Sequence, residues 1–104
     1  MEIFEESKKF PKEETYSLTD QIRRASRSVP TNIGEGYRKK RCPKMFVCKM
    51  ADADGEGTET QVWIDFAAAC GYVSTQRQCE WQLGHEEVGR MLGEMIAHPE
   101  RFSG

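Results

Sequence analysis

Between Arg38 and Lys49 the chain carries Arg38, Lys39, Lys40, Arg41, Lys44 and Lys49 and no Asp or Glu. Cations gathered so closely repel one another, and a fold keeps them at solvent or against an anion. The chemistry open to them is phosphate binding, which requires clustered positive charge and little else. Tyr37 adjoins the block, and an aromatic ring there offers a face on which a nucleobase can stack. The plainer reading is a solvated turn between two helices. The next acidic residues, Asp52, Asp54 and Glu56, start roughly 12 Å along a helix from Lys44, beyond a Debye length of ~8 Å. A positive local potential is therefore expected on a chain whose formal net charge is -2.

A second charged group joins two segments. Arg23 and Arg24 fall in one helical pattern and Glu59 in another. A guanidinium fork suits a carboxylate, so a buried or half-buried bridge that fixes the register of two helices is expected. Removing one partner of a buried pair costs about 3–5 kcal/mol. A catalytic role is disfavoured, because no nucleophile or base assembles around these residues.

Catalytic and metal chemistry find no support elsewhere. His85-Glu86 is followed by Gly89 where a second histidine would complete HExxH. No strand precedes a glycine-rich phosphate loop, and a lone histidine on a helix stripe is ordinarily a packed side chain. Asp52, Asp54, Glu56 and Gly57 match the opening of a calcium loop, but the position that needs a bidentate Glu is Trp63. Cys42, Cys48, Cys70 and Cys79 include no C-x-x-C pair and follow no signal segment. They read as reduced, small apolar residues of helices rather than as disulfides or a zinc site. The expectation is a non-enzyme with no catalytic residue, no metal and no cofactor.

The elements that position these groups follow from periodicity. Leu18, Ile22, Ala25, Val29, Ile33 and Tyr37 draw one stripe along a helix from about Ser17 to Arg38. Ser17 and Asp20 resemble a capping pattern at its start. Pro30 lies inside that helix and removes the donor for the Ser26 carbonyl, a cost of about 3 kcal/mol that neighbouring packing must offset. Ser28 and Asn32 are expected to satisfy carbonyls that Pro30 leaves free. Before it, Met1 to Lys9 is a helix of about nine residues, roughly 14 Å long, and Lys12 to Thr15 is a charged connection.

Pro43 suits the first position of a third helix that runs to about Cys70. Phe46, Met50, Ala53, Gly57, Ile64 and Ala68 form its stripe, interrupted by Thr60 and Gln61. Gly55 and Gly57 each cost about 1 kcal/mol in a helix and point to close approach of a neighbour. Val62, Trp63 and Phe66 add a second apolar face, more than a single subunit covers, so a subunit interface is expected there. Gly71 ends the helix, Ser74 caps the fourth, and Trp81, His85, Val88, Leu92 and Met95 give that helix its stripe. His98-Pro99 stops it, leaving Glu100 to Gly104 as a tail.

At 104 residues the chain holds one domain, 1–104, with a single core. It has no apolar run of membrane-spanning length and no signal segment, so no membrane association and a cytoplasmic location are expected.

The run QIRRASRSVPTNIGEGYRKK (Gln21 to Lys40), with FPKEETYSLT before it and GTETQVWIDFAAACGYV after it, resembles the four-helix bundle proteins encoded by intervening sequences in bacterial large-subunit ribosomal RNA genes. Three blocks in the same order and spacing carry the resemblance over nearly the whole chain. It implies an all-α, up-and-down four-helix bundle with a shortened first helix, since relatives open with a longer one. Those proteins are related to the accessory variability proteins of diversity-generating retroelements, which form pentamers and bind nucleic acid with a reverse transcriptase. The resemblance thus implies a homo-oligomer, with a homopentamer favoured, and RNA or a nucleic-acid enzyme as partner. The function expected is non-enzymatic binding through the basic turn; the alternative is a structural or protein-interaction module that binds no nucleic acid.

Overall fold

The computed structural model describes residues 2–12 and 18–102. Within them the chain forms four helices and no strand: α1 (Glu2–Ser7), α2 (Asp20–Arg38), α3 (Pro43–Ala69) and α4 (Thr75–Ala97), followed by a 3-10 turn at Pro99–Arg101. The Ser17 cap and most of the charged connection before it lie outside the described residues.

The helix ends are set locally. Pro43 opens α3 at a position where its missing N–H costs nothing. Gly71 takes φ of 79°, and the Tyr72 amide reaches the Ala67 carbonyl at 2.9 Å while the Gly71 amide reaches Ala68 at 3.0 Å. This left-handed glycine cap closes α3 and reverses the chain. Ser74 then accepts a hydrogen bond from the Arg77 amide at 3.1 Å, starting α4.

α3 is the central helix, with α2 and α4 packed along it and α1 resting on α2. Going up α2 through Arg24, Val29 and Glu35, the partners on α3 descend through Glu59, Gly57 and Lys49, so the two run antiparallel. α4 repeats this against α3: Gln78 and Gln82 meet Asp65, and Gly89 faces Asp54.

The buried apolar residues of the interior fall into two clusters. One joins Ile3, Phe10, Leu18, Ile22, Ile64, Ala67, Val73 and Trp81. The other joins Phe46, Met50, Ala53, Leu92 and Met95, with Phe102 packed against it. The reason lies in the middle of α3, where Gly57 and fully buried Thr60 supply little apolar volume. Thr60 is tolerated there because its hydroxyl donates to the Glu56 carbonyl at 2.8 Å.

Several expectations are corrected. Ala67, not Ala68, completes the buried stripe of α3. A Cβ at Gly55 would meet nothing within 4 Å, and one at Gly57 only the Val29 methyl at 3.9 Å. The close approach occurs at Gly36, where a Cβ would overlap the Met50 methyl and come within 3.1 Å of the Lys49 Cβ. The four cysteines are free but exposed, so they are not core residues. Of the tail expected from Glu100 to Gly104, the described part is held against the bundle, since Phe102 stacks on Phe46 with ring centroids 6.4 Å apart, and residues 103–104 lie outside the described residues. As its stripe predicts, α2 runs through Pro30 to Arg38. Ser28 donates to the Arg24 carbonyl and Asn32 to that of Ser28, so both bond carbonyls flanking the proline gap rather than Ser26 itself.

Candidate nucleic-acid interface

The basic turn is built by the end of α2 and the start of α3. The Lys39 amide bonds the Gly36 carbonyl at 2.9 Å, and the Cys42 amide bonds Lys39 at 2.9 Å. This tight reversal holds Arg38, Lys39, Lys40, Arg41 and Lys44 at one end of the molecule. All of them are exposed apart from half-buried Lys40. Among the described residues none of the five forms an ion pair within 4 Å, whereas Lys8, Lys9, Arg24, Lys49, Arg77 and Arg101 all do.

Lys49 separates from the group. Its ammonium sits 2.8 Å from Glu35, which raises the Lys49 pKa and holds the Glu35 carboxyl below its ordinary value, in both cases through the hydrogen bond first and charge attraction second. Arg38 and Lys39 attract Glu35 more weakly. One carboxylate therefore faces the turn, and it is already engaged.

The Tyr37 ring lies nearly perpendicular to that of Phe46, with centroids 5.9 Å apart, and is 39% exposed. Beside the turn lies a feature that charge and periodicity alone do not reveal. Lys39, Lys44, Met45, Cys48 and Lys49 line a crevice of ≈ 180 Å³, and Pro43, Lys44, Val47 and Cys48 line a shallow depression next to it. Met45 is 45% exposed. A partial signal exists in the order Lys44-Met45-Phe46: Phe46 takes the core stripe, so its neighbour must face outward.

The expected interhelical bridge involves one arginine. Arg24 Nη2 lies 2.6 Å from Glu59 Oε1, and its Nη1 lies 3.7 Å from Glu56. Arg23 turns away, donating to the Ser7 hydroxyl at 2.6 Å and lying over the Phe4 ring at 4.5 Å. The Arg24–Glu59 pair is not buried, with side chains 46% and 35% exposed.

The three candidate interface residues also divide. Val62 and Phe66 are 59% and 49% exposed. Trp63 packs against the core cluster beneath α3 and donates to Glu59 at 3.3 Å, with Phe66 edge-on to it at 6.1 Å.

No metal-binding group of three His, Cys, Asp or Glu occurs among the described residues. Asp52, Asp54 and Glu56 lie within unbroken α3, where no calcium loop exists. Burial lowers the pKa of His85, which favours its neutral form. No helix among the described residues is long and apolar enough to cross a membrane.

Residues 1–94 match the family model of the 23S rRNA-intervening sequence proteins. The chain belongs to this family. No curated protein and no solved structure matches it. In this 23S rRNA-intervening sequence protein the matched region contains α1 to α3 and most of α4. The basic turn, the Arg24–Glu59 bridge and the outer face of α3 therefore all lie inside it.

Proposed function

We propose that this 23S rRNA-intervening sequence protein is a non-enzymatic, oligomeric binding protein, an up-and-down four-helix bundle whose basic turn contacts RNA phosphates. One observation carries the reading: among the described residues the five cations of this turn form no ion pair, whereas Lys8, Lys9, Arg24, Lys49, Arg77 and Arg101 do. Unpaired surface cations release counterions on meeting phosphate, and binding of that origin weakens steeply with salt. A single turn supplies only a few such contacts. Repetition of the turn around an oligomer multiplies them through effective concentration and compensates for the acidic subunit. The likeness to retroelement accessory variability proteins favours five copies and admits a nucleic-acid enzyme as an additional partner.

Exposed Val62 and Phe66 support the oligomeric part, since adjoining apolar side chains on one helix face mark an association surface. They equally favour the second reading, an interaction module that associates through α3 and ignores nucleic acid. The salt dependence of RNA binding, compared between the protein and a variant neutralised at Lys39, Lys40 and Arg41, separates the two.

A further inference from the structure

The crevice at the start of α3 has a composition that phosphate binding does not require. Met45 and Cys48 line it together with Lys39, Lys44 and Lys49. Lysine stems cover apolar surface while their ammonium groups remain in water, so the crevice is apolar inside and cationic at its lip. Two of the lip cations, Lys39 and Lys44, are without an ion pair among the described residues, and the third is fixed by Glu35 at 2.8 Å.

We infer that this crevice receives an unpaired base, so that the turn selects single-stranded over duplex nucleic acid. The inference rests on the proposed phosphate contact and names its substrate class. In a duplex the flat faces of the bases are stacked and only phosphates, sugars and edges are offered. A single strand presents a base face next to its own phosphate, matching an apolar slot beside free ammonium groups. Sulfur packs favourably against aromatic rings, at about 0.3–1.5 kcal/mol for each such pairing. Met45 and Cys48 thereby offer the base a contact inside the crevice, whose lining does not include Tyr37.

The test uses the full chain and one labelled RNA, offered as a single strand and as a blunt duplex, read by fluorescence anisotropy at fixed low salt. The single strand is expected to bind about two- to tenfold more tightly. Met45→Ala, at a half-exposed position that leaves the core intact, should remove that preference and leave duplex binding unchanged. Equal binding of both RNA forms, or a Met45→Ala variant that keeps the preference or weakens both forms alike, overturns the inference and leaves the phosphate contact standing. Failure of the parent protein to bind either form overturns the phosphate contact as well.

Discussion

Arg24 Nη2 lies 2.6 Å from Glu59 Oε1, tying α2 to α3 at a point where both side chains still meet solvent. The same carboxylate oxygen accepts the Trp63 indole N–H at 3.3 Å. Water screens the pair, which lowers its worth to the range of surface bridges, about 0.2–1 kcal/mol. The indole bond adds about 0.5–1.5 kcal/mol. Glu59→Ala should therefore destabilise by about 1–2 kcal/mol in urea denaturation, not by the 3–5 kcal/mol of a buried pair. A double-mutant cycle with Arg24→Ala should show coupling below about 1 kcal/mol, falling with salt.

The glycines of the helices separate by what surrounds them. Gly55 stands in open space, so Gly55→Ala should stabilise α3 by up to about 1 kcal/mol. Gly36 is pressed against Met50 and Lys49, and Gly36→Val should destabilise by about 1–3 kcal/mol through overpacking. Thermal melts of the two variants should move in opposite directions.

Much of this architecture is legible in the sequence because its signals are local. Pro43, Gly71 and Ser74 mark helix ends through backbone chemistry that needs no tertiary context. The stripe Leu18, Ile22, Ala25, Val29 identifies the buried face of α2 by period alone. The remainder depends on neighbours. α3 is apolar on more than one face, so period cannot say whether Ala67 or Ala68 is covered, or that Met45 and Cys48 border a crevice. Gly36 and Gly55 look alike until Met50 is placed. Phe102 joins the core only because the turn at Pro99 carries it back to Phe46. The basic turn is visible from charge; that its cations have no ion pairs among the described residues is a tertiary fact.

The outer face of α3 supplies an assembly test. Val62 and Phe66 remain exposed on the subunit, whereas Trp63 is half-buried against its own core. Phe66→Glu should convert oligomers to monomers in sedimentation velocity at micromolar concentration without loss of helicity. Trp63→Glu should in addition destabilise the subunit, because Trp63 also packs against its own core. A monomeric parent protein would contradict the assembly reading.

Glu35 provides a pH test at the turn itself. Lys49 holds its carboxyl below the ordinary value of 4.5. A group depressed in the folded state contributes stability that is present above its unfolded pKa and lost as pH falls through its folded one. Because the pair is exposed, the contribution should be small. Carbon-13 NMR titration should find Glu35 below the ordinary carboxylate value, and Lys49→Met should move it upward. No change in that variant would show that the bridge is absent in solution.

The binding claim meets its most direct test in fluorescence anisotropy with single-stranded RNA across a salt series. The parent protein should bind with an affinity that falls linearly on a logarithmic salt axis. Replacing Lys39, Lys40 and Arg41 with Ser should weaken binding and flatten that slope by about 0.7 for each phosphate of a single strand that is no longer neutralised. Helicity and sedimentation should stay unchanged. Identical slopes for parent and variant, or no binding by the parent at low salt, would contradict phosphate binding at this turn and leave the protein-interaction module as the reading.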